Sequence, residues 1–228
     1  MLRRRRRSIG VMVRDDGTIE VRAPLRATRR EIDAVLERHR AWLLERQREH
    51  TQRWRRRLAR HFDDGDQVPY LGRQLRLCVL VSASRAVRVA PALLDDALTV
   101  WIAANLDVGQ RRAASRESVG RWLLAQAGHV FHERHVAMSR RVGVAAVSVV
   151  IKDMRSRWGS CGPTRRMSLN WRLVLAPLEI IDYVLVHELT HIEHPDHSPR
   201  FWAAVARACP EWKTSRDWLQ DHGADLEI

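Results

Sequence analysis

The chain has 228 residues, 45% of them hydrophobic, and a formal net charge of +13. This length can hold one large domain or two small ones with an ordinary core. The longest apolar run, residues 142–151, falls short of the ~18–20 residues of a membrane span and includes Gly143 and Ser148. We therefore expect no membrane-spanning segment.

Two further features predict a cytoplasmic protein. The apolar segment at residues 9–13 is too short for the core of a signal peptide. The cysteines Cys78, Cys161 and Cys209 lie far apart and form no C-x-x-C pair. Such spacing is typical of reduced thiols rather than of a disulfide framework.

The positive charge is concentrated at the N-terminus. Residues 1–60 contain 19 Arg and 8 acidic residues, a net charge of +11, whereas the other 168 residues carry a net charge of +2. The arginine run at residues 1–7 is either a solvated end or an arm that attracts nucleic acid or another polyanion. We keep such a partner as an expectation for this region.

The first half of the chain predicts a small sheet and a long basic helix. Segments 9–13 and 18–21 alternate around Asp15-Asp16-Gly17, which indicates a hairpin. Thr28 and Glu31 form a capping-box pattern that opens a long amphipathic helix. The strand-like runs that follow predict an antiparallel sheet of several strands; they are residues 67–70, 74–81, 86–89 and 98–102.

The second half predicts helices around a small sheet. Residues 109–141 have the periodicity of a second long helix. Residues 142–154 predict a strand, and segments 155–161 and 167–170 predict a hairpin. The fold class is therefore α+β. We divide the chain into an N-terminal, mainly β subdomain (1–105) and a metal-binding domain (106–228).

The motif His187-Glu188-Leu189-Thr190-His191 predicts a metal site. On a helix, positions i and i+4 share one face, so His187 and His191 would present two imidazoles to one Zn²⁺ ion. Glu188 lies about 100° further around the helix. It is poorly placed as a ligand but well placed to accept a proton from a metal-activated water.

The surrounding sequence supports this helix and supplies a third ligand. Pro177 suits the start of a buried helix, and Pro195 ends it. Ser198-Pro199 has the pattern of an N-cap and first position of a further helix, which places His197 on the short connecting loop. His197 is the favoured third ligand; His194 and a distant carboxylate are the alternatives.

A second cluster of histidines lies in the long central helix. His129, His132 and His135 occur there with Glu133. Their i+3 spacings progress around the helix instead of stacking on one face, so we expect no metal site there.

Several motifs in this order resemble those of the YgjP-like metal-dependent hydrolases, which are relatives of the SprT-like and WLM metalloproteases. The resembling segments are Arg157-Trp158-Gly159-Ser160-Cys161, Leu169-Asn170, Asp182-Tyr183-Val184, His187-Glu188-Leu189-x-His191, His197-Ser198 and Phe201-Trp202. The resemblance implies a minimal zincin-like core holding one Zn²⁺ ion. It also implies His187, His191 and His197 as ligands and Glu188 as the catalytic glutamate.

The resemblance implies a zinc-dependent hydrolase, with a peptidase as our first hypothesis. The strand at residues 157–161 resembles the sheet edge that borders the cleft in such enzymes, where an extended peptide could bind. The candidates for stabilising the oxyanion are Tyr183, Arg157 and His222.

Two alternative functions remain open at this point. One is hydrolysis of a nucleoside triphosphate to monophosphate and pyrophosphate, with phosphate contacts from Arg157, Arg165 and Arg172. The other is a nucleic-acid-binding module in which zinc has only a structural role.

Overall fold

The computed structural model describes residues 8–14, 16–82, 92–154, 156–162 and 164–228, with backbone only at positions 53, 54 and 56–59. The arginine run at 1–7 and the predicted strand at 86–89 lie outside the described residues. The chain forms two compact units, Met1–Arg60 and His61–Ile228. No helix in the described part of the chain has the length and apolarity needed to cross a membrane.

The first unit contains the predicted hairpin and two helices. Strands β1 (Gly10–Val13) and β2 (Ile19–Arg22) pair antiparallel, with Val11 opposite Val21. Gly17 in their turn has a φ of 84°, and a Cβ there would lie 2.6 Å from Thr51 Oγ1. The turn therefore needs glycine both for its backbone conformation and for the close approach of the helix beside it.

The predicted long basic helix is divided in two. Helix α1 (Arg29–Arg38) begins with the predicted capping box, in which Glu31 N–H donates to Thr28 Oγ1 and Thr28 N–H donates to the Glu31 carboxylate. It ends at His39, where φ is −104° and ψ is 10°, and α2 (Arg40–Ala59) follows at once. The prediction of a single helix was wrong, because the apolar periodicity continues across a break that has no Gly or Pro to mark it.

The second unit begins with a four-stranded sheet in the order β3-β4-β6-β5. Its strands are β3 (Gln67–Tyr70), β4 (Arg73–Ser82), β5 (Ala92–Leu94) and β6 (Ala97–Ala103). The pairs β3–β4 and β5–β6 are antiparallel, but the central pair β4–β6 is parallel. The prediction of an entirely antiparallel sheet was therefore wrong. Alternation of buried and exposed residues fixes the face that a strand buries but does not fix its direction.

A 35-residue helix, α3 (Val108–Val142), connects this sheet to the second sheet. Asp107 and Gln110 form a capping box at its start, and Gly143 ends it in the left-handed region with a φ of 85°. The predicted strand at 142–154 is consequently shorter, because α3 extends to Val142 and β7 begins at Ser148.

The second sheet has the order β7-β9-β8 and carries the site region. Its strands are β7 (Ser148–Lys152), β8 (Gly159–Cys161) and β9 (Arg166–Asn170). The predicted hairpin corresponds to the antiparallel pair β8–β9, and β7 is parallel to β9. Among the described residues β8 pairs only with β9, so it forms an edge of this sheet.

Three helices complete the second unit: α4 (Leu178–Thr190), α5 (Pro199–Ala208) and α6 (Trp212–His222). Helix α4 is the central one, since nine of its residues are buried and it packs against α3, α5, α6 and β8. This mixture of helices and separate sheets is the predicted α+β class.

The observed division of the chain differs from the sequence-based one. The boundary at residues 105 and 106 lies inside the second unit, where α3 packs against both β6 and α4. The separation of 1–105 from 106–228 stays a prediction.

Candidate metal centre

The motif histidines lie at the C-terminal end of the buried helix α4. Pro177, the predicted first residue of this helix, is its N-cap, so the helix begins one residue later, at Leu178. The helix ends at Thr190, but the following residue, His191, retains helical angles with φ −64° and ψ −15°. His187 and His191 therefore stay on the same face, as the i, i+4 spacing predicted.

Three imidazole nitrogens converge at this point. His187 Nε2 lies 3.2 Å from His191 Nε2 and 3.2 Å from His197 Nε2. Each of the three residues offers one ligand atom, and these atoms all lie within 4.8 Å of one another. A tetrahedral Zn²⁺ ion with Zn–N bonds of about 2.0–2.1 Å would hold its ligand nitrogens about 3.3 Å apart. The donor set therefore fits a metal ion.

The protonation of these rings also favours a cation. His191 Nδ1 lies 3.1 Å from the His194 carbonyl, to which it can donate only if it carries the proton, so Nε2 is left as a lone-pair donor. Burial, and then the neighbouring His191 and His197, lower the pKa of His187 to about 4. His187 Nδ1 is buried without a hydrogen-bond partner among the described residues. Neutral rings whose lone pairs face one another are stabilised by a positive ion between them.

His197 is held by its loop and by stacked aromatic rings. As predicted, Ser198 caps α5 by accepting a hydrogen bond from Phe201 N–H, and Pro199 occupies the first turn. The His197 ring stacks on Trp202, with ring centroids 5.7 Å apart and an interplanar angle of 27°. Trp202 in turn stacks on Trp212 at 4.4 Å and 21°. This aromatic series limits the positions open to the most exposed of the three histidines.

Glu188 follows His187 on α4, and its side chain packs against β8 and lines the cleft described below. Its side chain is 7% exposed. A Cβ at Gly159 would lie 2.7 Å from both Cγ and Oε1 of Glu188, so the carboxylate occupies the space that only glycine leaves free. Burial raises the pKa of Glu188 to about 7, opposed by the backbone N–H of Cys161 and the charge of Arg157. A carboxylate with such a pKa can accept and release a proton near neutral pH.

A cleft of about 830 Å³ opens over these groups. One wall comes from β8 and the residues before it, and another comes from α6. The lining residues are Arg157, Trp158, Gly159, Ser160, Cys161, Tyr183, Val184, His187, Glu188, His191, Ile192, Pro195, His197, Arg216, Leu219 and Gln220.

The other ligand candidates have different roles in the structure. His194 contributes its backbone carbonyl to His191, and its ring is not part of the ligand cluster. Cys161 lines the cleft, and its backbone N–H donates to the Glu188 carboxylate. In the central helix, His135 Nε2 accepts from Ala146 N–H at 3.3 Å and lies 3.2 Å from Ser139 Oγ, which is a structural role.

The candidates for contacting the substrate are separated by the structure. Tyr183 and Arg157 line the cleft, whereas His222 stacks on Trp218 and is not a lining residue. Arg172 lies over the Trp171 ring and forms an ion pair with Asp153, away from the cleft.

Sequence reasoning missed two features of this site. The first is the contact of Gly159 with Glu188, for which a glycine in a short strand next to the motif was the only signal. The second is the contribution of α6, whose residues Arg216, Leu219 and Gln220 line the cleft. Their i, i+3, i+4 spacing marks one helix face, but nothing in the sequence relates that face to the motif.

Three converging imidazoles beside a buried carboxylate, at the edge of a sheet, are the features of a metal-dependent hydrolase. The family description that matches is "YgjP-like, metallopeptidase domain", over residues 7–222. The chain belongs to the YgjP-like family, which confirms the resemblance seen in its sequence. No curated protein and no solved structure is significantly similar to the chain.

Proposed function

We propose that the protein is a zinc-dependent peptidase. In this proposal His187, His191 and His197 hold the ion and Glu188 is the general base. The observation that carries it is the convergence of three Nε2 atoms, with 3.2 Å separations, next to a buried carboxylate in an open cleft. A site closed by four protein ligands would favour a structural metal, but only three such residues cluster among the described ones.

The chain's own groups supply the proton transfers. His187, His191 and His197 would hold the zinc ion, which would supply Lewis-acid chemistry: a lower pKa for the attacking water, ~7, and polarisation of a substrate carbonyl. Glu188 accepts the proton of the attacking water and delivers it to the leaving amine. Because its side chain is buried, the pKa of Glu188 is raised to about 7, so the carboxylate can exchange a proton near neutral pH. Tyr183 lines the same cleft and is our candidate for donating to the oxyanion.

The edge strand β8 supports a peptide substrate. Asn170 N–H donates to the Trp158 carbonyl at 2.8 Å, so the peptide groups of Trp158 face β9. Peptide groups alternate along a strand, and those of Gly159, a residue that lines the cleft, therefore face away from β9. An extended peptide could add to this edge by main-chain hydrogen bonds, with its carbonyl near the histidines.

The test begins with the metal. Zinc is removed with a chelator and then added back, and the bound metal is measured by mass spectrometry. We expect one zinc per chain in the wild-type protein and none in His187→Ala. Casein and a panel of nucleoside triphosphates are then incubated separately with the zinc-loaded protein, with and without chelator. We expect chelator-sensitive cleavage of casein.

The decisive variant is Glu188→Gln, with Glu193→Gln as its matched control. Glu193 is exposed and does not line the cleft. We expect Glu188→Gln to retain zinc and lose at least ~10²-fold in kcat/KM, since general-base catalysis contributes 10²–10⁴-fold. We expect Glu193→Gln to behave as wild type.

Chelator-sensitive cleavage of a triphosphate but not of casein would replace the peptidase by the nucleotide hydrolase. A silent Glu188→Gln with zinc bound would favour the structural-zinc module.

A further inference from the structure

The cleft has an unbalanced charge. Its lining includes two guanidinium groups, Arg157 and Arg216, and a single acidic residue, Glu188. Glu188 is buried against β8 and is committed to the catalytic centre in the proposed function. Apart from Glu188, the charged residues that line the cleft are therefore both arginines, which favours an anionic group on the substrate.

Arg216 is held in a defined position. Its guanidinium lies over the ring of Trp212, 5.2 Å from the ring centre, and Trp212 belongs to the aromatic stack that reaches His197. Its Nε and Nη2 donate to Asp217 Oδ1 at 3.2 and 3.1 Å. A guanidinium has five N–H donors, so these two bonds leave the Nη1 edge for another acceptor.

The ion pair with Asp217 engages only Nε and Nη2 of the guanidinium. The two side chains are 49% and 60% exposed, so the pair is screened by solvent. Asp217 is also absent from the lining of the cleft, whereas Arg216 lines it together with Leu219 and Gln220 on the same face of α6. A fixed guanidinium with a free donor edge beside an apolar wall matches a planar carboxylate better than it matches a neutral side chain.

We propose that Arg216 forms a carboxylate-binding subsite that selects peptides carrying an acidic group near the scissile bond. The carboxylate can come from an Asp or Glu side chain or from the C-terminus of the peptide. This inference rests on the proposed peptidase function for its biological meaning, but the binding of the carboxylate can be measured without any cleavage.

The test uses the full-length, zinc-loaded Glu188→Gln protein and fluorescent peptides of one common sequence. One peptide has an internal Glu and an amidated C-terminus, a second has Gln in its place, and a third has that Gln and a free C-terminal carboxylate. Affinities are measured by fluorescence anisotropy. We expect the Glu peptide, the free-carboxylate peptide or both to bind about tenfold or more tightly than the amidated Gln peptide.

Variants at Arg216 show whether this residue is the cause. In the same background, Arg216→Gln should remove the preference, and Arg216→Lys, which keeps the charge but not the planar donor edge, should retain part of it. Arg207→Gln is the matched control, because Arg207 is an exposed arginine of α5 that does not line the cleft. Zinc content and thermal unfolding of each variant verify that it is folded.

The outcomes separate this inference from the peptidase proposal. Equal affinities for all three peptides, no measurable binding, or a preference unchanged by Arg216→Gln would overturn the subsite. The wild-type enzyme is then given the same peptides. Preferential binding without cleavage would contradict the peptidase and leave the carboxylate site intact, whereas cleavage without preference would contradict the subsite alone.

Discussion

Among single residues, the closest approach in the site joins Gly159 to the proposed general base. An alanine Cβ at this position would lie 2.7 Å from Glu188 Cγ and Oε1 and 2.9 Å from Cδ. Neither group can move easily, since β8 is hydrogen-bonded to β9 and Glu188 lies on the buried helix α4. The position of the carboxylate therefore depends on the absence of a side chain at Gly159.

We predict that Gly159→Ala lowers kcat/KM by ~10²-fold or more, because a displacement of about 1 Å in a catalytic group has an effect of this size. The measurement is steady-state cleavage of whichever substrate the wild-type enzyme turns over, together with zinc content. We expect one zinc per chain, since the histidines are not the groups that move.

Gly162→Ala provides the control for this prediction. Gly162 is the residue after β8, and a Cβ there meets no described atom within 4 Å. We expect its activity within about twofold of wild type, as for substitutions away from packed features. Similar losses in both variants would mean that strand flexibility, and not the contact with Glu188, controls the rate.

The residue scale also shows what the sequence could reveal about the site. His187, His191 and Glu188 follow from helical spacing alone, and the proline and serine after them placed His197 on a nearby loop. Trp202 and Trp212 could not be related to His197, because their stacking depends on how α5 and α6 pack. The same is true of Arg216.

At the level of elements, α4 is held in place by an ion pair to α3. Arg134 Nε donates to Asp182 Oδ1 at 2.7 Å, and Nη2 donates to Oδ2, so the pair is bidentate. The two side chains are 28% and 16% exposed, less than most other ion pairs in the described chain. Asp182 lies five positions before His187 on the same helix, so this pair fixes the orientation of the helix that carries the motif.

We predict that Asp182→Asn lowers the free energy of unfolding by about 1–3 kcal/mol, because it leaves a partly buried guanidinium without its charged partner. Urea unfolding followed by circular dichroism measures this change.

Glu117→Gln is the control on the neighbouring helix α3, where the Glu117–Arg121 pair is 3.9 Å apart and both side chains are more than 60% exposed. We expect that variant to change stability by less than ~0.5 kcal/mol. An equal effect of the two substitutions would remove the special role of the α3–α4 pair.

The elements differ in how far they follow from local sequence. Capping residues located the starts of α1 and α5, since a cap is a contact between residues three apart. The parallel pairing of β4 with β6 and of β7 with β9 could not be located in this way. Such pairings depend on how the chain returns to the sheet, and several returns satisfy the same alternation of buried and exposed residues.

For the molecule as a whole, the uneven distribution of charge is the main feature that the proposed active site does not explain. Residues 1–60 carry a net charge of +11 and form a unit of their own. In α2 the described arginine side chains Arg48 and Arg55 are exposed, and the Trp42 ring is 47% exposed. The Trp42 ring is therefore accessible for stacking on a base. These features keep nucleic acid as a proposed partner of this unit.

We predict that the full-length protein binds a short DNA duplex with an affinity that falls steeply as salt concentration rises, because each arginine–phosphate contact releases a counterion. Affinities are measured by fluorescence anisotropy from 50 to 200 mM salt. Arg48→Gln and Arg55→Gln should each weaken DNA binding, by the same factor for duplexes of unrelated sequence. Each should also reduce the slope of log K against log salt by about 1. Arg140→Gln, an exposed arginine of α3, is the matched control and should leave the slope unchanged. If all three variants reduce it equally, the binding reflects the net charge of the whole protein rather than a surface on the first unit; an unchanged slope in all three would exclude α2 from the contact.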